Sequence, residues 1–524
     1  MKSDTKLDIS ENGKRLLTYT EGATFEEAIS ATKFGKFNFL LILVIIPARW
    51  SSIFETTTMS YVFPAAQCDL SLNLDNKGLL NAITYAGMIS SAFIWGYLFD
   101  SLGRKKLMYI GFFMDAVFVF MSSLSQSFTQ LLISKFLGGF IINGPFAALT
   151  SYISEFHSAK YRARVQMVLG TINSLGAVSL PILAGFILPA DRHFTIFNYF
   201  EMHSWNVFLL VATLPPLCGG IVFLLMPESP KFLMTSGRND EALKVLSRVY
   251  RLNTGKPEST YPIKSLVLER KQVDVEANSV DNSSKRALLE GLNQLKPLFI
   301  PPLLQSILLV CGLQLLIMMS INTLRLWLPQ LFQAINDYEH LHNGTTASLC
   351  TMLEVIQPAR KNESVVPQEC VVNTDNFKVY VNTMIVAVVT VCGYFVAGSL
   401  INTLGKKRLL FILSTVGGSC GFGLYFSKSS VVTLMLAALY NGLGSICINI
   451  IISVVIDLFP TTLRTLTVSI TMMIGRLGAM VGNLVFPYLL QQGCAPPFFT
   501  IGAGLMSCAF IGILLPNTDM VALQ

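Results

Sequence analysis

GYLFDSLGRKK, residues 96–106, ends a long uncharged run that starts after Lys77 and packs an aspartate, two glycines and three basic residues together. GSLINTLGKKR, residues 398–408, repeats it 302 positions later, with Gly96 falling on Gly398 and Gly103 on Gly405. The same shift carries Glu155 to Asp457 and Arg162 to Arg464, so an acid followed seven residues on by an arginine also recurs. One constant offset across two separate motifs predicts two homologous halves joined by a central segment.

The surroundings of these motifs fix the class of chain. Of 524 residues, 52% are hydrophobic and 13% charged, with a mean hydropathy of +0.56. A soluble domain carries roughly 25% charged residues. The apolar residues also cluster in blocks of about twenty, enough to cross a hydrocarbon core of ~30 Å. Twelve spans are expected, near 37–63, 78–100, 107–127, 129–155, 163–189, 204–226, 298–331, 378–402, 407–427, 429–457, 464–491 and 497–516. The expected fold is an all-α integral membrane protein, twelve transmembrane helices in two six-helix bundles. Residues 1–36 form an N-terminal segment with no apolar core before a cleavage site, so no cleaved leader is expected and the first span serves as insertion signal. Residues 37–226 are the first bundle, 227–297 a polar central loop, 298–516 the second bundle, and 517–524 a short tail.

Orientation follows from basic residues, which favour the cytosolic side. Of the 38 Lys and Arg residues, 28 lie in the N-terminal segment and the even-numbered loops or at their edges. Both termini are therefore expected in the cytosol, and the net charge of +7 reflects this bias rather than nucleic-acid binding. The loop 332–377 holds the sequons Asn343-Gly-Thr and Asn362-Glu-Ser together with Cys350 and Cys370. Glycosylation and disulfides suit the opposite, outer side. A Cys350–Cys370 bridge is the expectation, with Cys68 and Cys494 as rival outer partners.

The motif between spans two and three resembles the signature of the major facilitator superfamily. PESPKFL at 227–233 resembles its sugar and organic-ion porter branches. TFEEAISATKFGKFNF at 24–39, HSWNVFLLVATLPP at 203–216 and DLFPTTLRT at 457–465 resemble the synaptic vesicle glycoprotein 2 group, close to organic cation and anion transporters. The resemblance implies alternating access, with the charged turns as a gating latch. Gly96 and Gly103 permit close packing and a tight turn, and Asp100 can cap a helix or pair with an arginine. Asp100, Arg104, Glu155, Arg162 and Glu228 are expected to form one network in the first half. The second half keeps Asp457 and Arg464 but has Asn402 in place of the aspartate, which makes the latch asymmetric.

Ionisable groups deep in a span are costly and default to functional candidates. Glu55 in span one is a candidate proton site, with an ion pair to Arg49 or Lys135 as its structural alternative. Arg49, in the same span, can compensate that carboxylate. Arg476, midway along span eleven, matches a basic position in organic-ion porters and is the candidate contact for an anionic group. Trp327 and Asn449 match the vesicle-glycoprotein pattern, and Asn322 interrupts an apolar stretch as a further polar candidate for a central cavity. Lys135, Arg325 and Asp115 are expected to snorkel toward the ends of their spans. No Walker loop or metal-ligand set is present, so neither enzymatic activity nor a cofactor is expected. The expected function is secondary transport of a small polar organic solute, anionic or zwitterionic, with proton coupling through Glu55, in a plasma or vesicle membrane. The alternative is a membrane glycoprotein that transports little and works by binding proteins through its glycosylated loop.

Overall fold

The computed structural model describes residues 22–190, 193–196, 200–267, 298, 300–301, 303–353, 377–459 and 461–516; the side chains of Gly96, Asp100, Asn402 and Arg464 lie outside that description. The first half contains α1 (Phe25–Ala31), α2 (Lys36–Val44), α3 (Ile46–Ala66), α4 (Leu74–Leu102), α5 (Arg104–Ser123), α6 (Phe128–Glu155) and α7 (Ala159–Ile187). A short hairpin of β1 (Phe194–Ile196) and β2 (Phe200–Met202) leads into α8 (Ser204–Val211) and α9 (Leu214–Leu225). Two polar helices follow, α10 (Pro230–Thr235) and α11 (Asn239–Thr254). The second half contains α12 (Leu303–Leu341), α13 (Leu349–Leu353), α14 (Phe377–Leu404), α15 (Lys406–Tyr425), α16 (Ser430–Leu458), α17 (Thr461–Gln492) and α18 (Ala495–Ile513). Eleven helical segments among the described residues are long and apolar enough to cross a membrane, and the 29-residue α4 occupies the place of the second expected span.

The repeat is visible in the helix limits themselves. Shifting α5 by 302 residues gives 406–425, the range of α15, and shifting α6 gives 430–457, one residue short of α16. Local chemistry explains the match. Gly103 and Gly405 both carry positive φ, +86° and +78°, a turn that side chains other than glycine adopt only with strain. Ser127 and Ser429, again 302 apart, each accept a backbone N–H at 3.3 Å and so start α6 and α16 alike.

Prolines account for two interruptions that hydropathy alone does not show. The first span divides at Ile45, because Pro47 has no N–H to continue the ladder, and the sixth divides before Pro215 and Pro216. The seventh helix runs to Leu341, ten residues beyond its expected end. At 1.5 Å per residue its 39 residues reach about 59 Å, well past a ~30 Å core.

The helices define two ends of the molecule. One end carries the Gly103 and Gly405 turns. The other carries a disulfide that corrects the expected pairing: Cys350 joins Cys494, not Cys370. This bridge ties α13 to the turn between α17 and α18. Cys68 is also disulfide-bonded. Cys370 and Asn362 lie outside the described residues, while Asn343 stands exposed with φ +51°.

Beneath the basic turns, α1, α10 and α11 bury Phe25, Ile29, Leu233, Leu246 and Tyr261 in a small core of their own. Asn253 of α11 fastens the chain leading into the first span. Its Oδ1 accepts the Phe37 N–H at 2.9 Å, and its amide donates to Lys33 O at 2.8 Å and Asn38 Oδ1 at 3.0 Å.

Candidate functional site

At the basic-turn end, the first half builds a network around Glu155. Arg104 pairs with it at 3.4 Å, Ser151 donates to it at 3.1 Å, and Ser229 donates to its other oxygen. Glu228 accepts the Lys105 N–H at 3.0 Å, which places a carboxylate at the start of α5, where the helix dipole favours it. A Cβ on Gly103 would sit 2.8 Å from Glu228 Oε2 and from the Phe232 ring, so a side chain there would displace the latch residues as well as strain the backbone. Arg162 does not join Glu155. It pairs with Glu26 of α1 at 2.7 Å and donates to the carbonyls of Ser154 and His157. In the second half Asp457 pairs with Lys406, the residue opening α15.

Deep in the first bundle, Glu55 pairs with Lys135 at 3.0 Å, each side chain 1% exposed. The ammonium also donates to Glu55 O at 3.2 Å and Thr58 Oγ1 at 3.4 Å, so it is held within the bundle on all sides of the pair. Lys135 therefore does not snorkel, and Arg49 does not compensate Glu55. A Cβ on Gly138 would lie 2.4 Å from Glu55 Oε1, so that glycine makes room for the carboxylate. Asp115 does not snorkel either. It sits in the middle of α5, 0% exposed, with both carboxylate oxygens unbonded. Glu55 and Lys135 are the charged groups within its electrostatic reach.

Between the bundles lies a third, cationic arrangement. Arg476 of α17 donates to Asn143 Oδ1 of α6 at 2.5 Å, and Asn143 is held by Met88 O at 3.0 Å. Arg325 of α12 donates to Asn322 Oδ1 at 2.5 Å, which also accepts Tyr85 OH of α4 at 3.3 Å. Arg325 thus points to the bundle interface and not to the end of its span. Arg49, by contrast, stays within the first bundle, donating to Thr150 of α6 at 3.1 Å and lying 4.4 Å from the Phe146 ring centre. Asn449 is exposed and donates to Tyr394 OH at 2.9 Å. Trp327, 0% exposed with its ring tilted against Phe486 at 5.1 Å between centres, belongs to the core of the second bundle. Each of the three arginines takes a neutral partner.

Toward the disulfide end the bundles are tied directly. Lys77 of α4 is 2% exposed and donates to Gln67 Oε1 at 2.9 Å and to Gln330 Oε1 of α12 at 3.0 Å. Gln491 of α17 donates to Asp75 at 2.9 Å, and Pro487 packs where a Cβ of Gly78 would be. The expected limits 78–100 left Lys77 just outside the second span, and Tyr85 was passed over. The signal for Lys77 is that it follows Asn73, a helix cap, by one turn, so it already belongs to the helix.

Among the described residues no group of three or more His, Cys, Asp or Glu is disposed to hold a metal ion. The sugar (and other) transporter family model matches residues 53–325, more than half of the chain. The chain belongs to the major facilitator superfamily. The general model of that superfamily matches residues 374–521. Rat synaptic vesicle glycoprotein 2B is 23% identical, the match covering 94% of this chain and 85% of the relative. Synaptic vesicle glycoprotein 2A of Pongo abelii is 31% identical over 49% of this chain and 35% of its own length. The partially occluded inward-open xylose transporter XylE from E. coli superposes with a TM-score of 0.64, covering 93% of this chain and all of that one, at 15% identity. A D-xylose–proton symporter superposes with a TM-score of 0.59, covering 92% and 98%, at 14% identity. The chain is thus a multi-pass membrane protein with the transporter fold of this superfamily.

Proposed function

We propose that this transporter moves a small organic anion by alternating access, driven by protons through Glu55. One observation carries the reading: Arg476 reaches Asn143 across the interface between the bundles, Arg325 holds Asn322, which bonds Tyr85 across it, and Arg49 within the first bundle holds Thr150, so all three guanidinium groups take neutral partners. Uncompensated guanidinium groups in a low-dielectric site favour a negatively charged guest, and their forked donors suit a carboxylate. Glu55 and Lys135 face the interior of the first bundle instead, so their part is coupling rather than contact with the solute. The Glu155 network and the Lys406–Asp457 pair hold the cytosolic ends of each bundle as they rock. Both termini and the basic turns face the cytosol, in a plasma or vesicle membrane, and the Cys350–Cys494 end faces outward.

The test is uptake into proteoliposomes of a panel of carboxylates, sulfonates, organic cations and sugars, with and without an inward proton gradient. Anions are expected to be taken up and cations and sugars not. Arg476→Gln removes a charge-assisted contact worth about 1.5–3 kcal/mol, a loss of about 10- to 150-fold in kcat/KM. Uptake of cations or sugars unaffected by Arg476→Gln refutes the anion reading. Folded protein that takes up nothing favours a binding role for the loop 332–377.

A further inference from the structure

Asp115 is a buried carboxylic acid to which the proposed transport scheme gives no part. It lies on α5 with 0% exposure, and neither oxygen has a hydrogen-bond partner. The cation within its electrostatic reach, Lys135, is already paired with Glu55 at 3.0 Å and also donates to Glu55 O and Thr58 Oγ1. The other described residues packed on α5 offer no substitute: in α4, Lys77 is held by Gln67 and Gln330 and Asp75 by Gln491, all toward the disulfide end, and the side chain of Asp100 lies outside the described residues. Helices α8 and α9 contain no acidic or basic residue, and Glu155 of α6 is engaged at the far end by Arg104. Two carboxylates and one ammonium, all ionised, would leave an uncompensated negative charge in a dry core, at a cost that proteins meet by taking up a proton. The ion pair occupies Glu55, which leaves Asp115 to hold that proton.

We propose that Asp115 is a proton-binding site coupled to Glu55, a neutral acid while Lys135 is bound to Glu55 and the partner of Lys135 once Glu55 is protonated. The exchange conserves charge. The O–H bond on Asp115 breaks, one forms on a Glu55 carboxylate oxygen, and the ammonium transfers its pairing from the second residue to the first. The proton delivered to Glu55 thereby frees that side chain from its ion pair without stranding a charge. The transport part of this proposal rests on the reading of Glu55 as the coupling residue.

Infrared spectroscopy of the full chain in lipid, with aspartate labelled by carbon-13 at its carboxyl, tests it. Wild type should show a label-sensitive C=O band of a protonated aspartic acid, and Asp115→Asn should remove that band. Glu55→Gln should remove it as well, because Asp115 then ionises to pair with Lys135. Thermal unfolding gives a second readout. Asp115→Asn should change stability little, whereas Glu55→Gln/Asp115→Asn should cost more than both single variants together, since Lys135 then has no carboxylate. Absence of the band in wild type, its persistence in Asp115→Asn or in Glu55→Gln, or additive stabilities would overturn the proposal. A band with the expected behaviour alongside uptake indifferent to the proton gradient would overturn the coupling role alone, leaving Asp115 as a structural proton site.

Discussion

Gln330→Leu should shift the transporter toward the state open at the disulfide end. In the closed arrangement Lys77 is 2% exposed and holds two amide oxygens, Gln67 within its own half and Gln330 across the interface. The Gln67 bond survives when the halves separate, so only the 3.0 Å bond to Gln330 depends on the conformation. A hydrogen bond to a charged donor contributes about 1.5–3 kcal/mol, and Lys77 in the variant stays buried with an unmet donor, which acts in the same direction. At 1.36 kcal/mol per decade, the open-to-closed ratio should rise about 10- to 150-fold. Gln330→Glu should act oppositely, because it gives the ammonium a carboxylate that only the closed state presents. Spin labels at Ser71 and Lys428, exposed residues of the two halves at this end, report the separation by pulsed electron resonance. Equal distance distributions for wild type, Gln330→Leu and Gln330→Glu would refute the assignment of Lys77 and Gln330 as a gate.

Three further outcomes follow from packing and charge, each read by thermal unfolding in detergent. Gly139→Ala should destabilise by about 1–3 kcal/mol, because its Cβ would lie 2.2 Å from the Thr84 carbonyl oxygen where α4 and α6 cross. Gly170→Ala, with nothing within 4 Å, should instead gain about 0.5–1 kcal/mol. Cys494→Ser should cost about 2–5 kcal/mol, whereas Cys392→Ser, at an exposed free thiol, should cost almost nothing. Burial pushes the His157 imidazole below its usual range, so folding disfavours its charged form. Its contribution is present above about pH 6.5 and lost as the pH falls, and His157→Gln should flatten that part of the stability profile.

The repeat was legible because turns and caps are local: Gly103, Gly405, Ser127 and Ser429 act within four residues of themselves. Depth in the membrane was partly legible for the same reason, since hydropathy reports position along a helix. Azimuth was not. Lys135, Asp115 and Arg325 were expected near span ends, where a charge can reach water, but Lys135 pairs with Glu55 of a neighbouring helix, Asp115 is fully buried, and Arg325 holds the Asn322 that bonds Tyr85 across the interface. Only the three-dimensional packing tells an inward-facing lysine from a snorkelling one. Arg325 did carry a local clue, as it stands one turn from Asn322 on the same face. The cysteines failed for a different reason. Cys350 and Cys370 share a loop, yet a disulfide requires Cα atoms about 5.5 Å apart, and the turn before α18 brings Cys494 to that distance.

The clasp at Asn253 has a consequence for how the molecule comes to be made. It joins the chain just before the first span to the helix that follows the sixth, so the first half is closed on itself without any help from the second. The first half can therefore fasten its own ends before α12 is translated. The protein is then the assembly of two independently finished pieces, and a chain cut within 268–297 and supplied as two polypeptides should still associate and insert as one carrier.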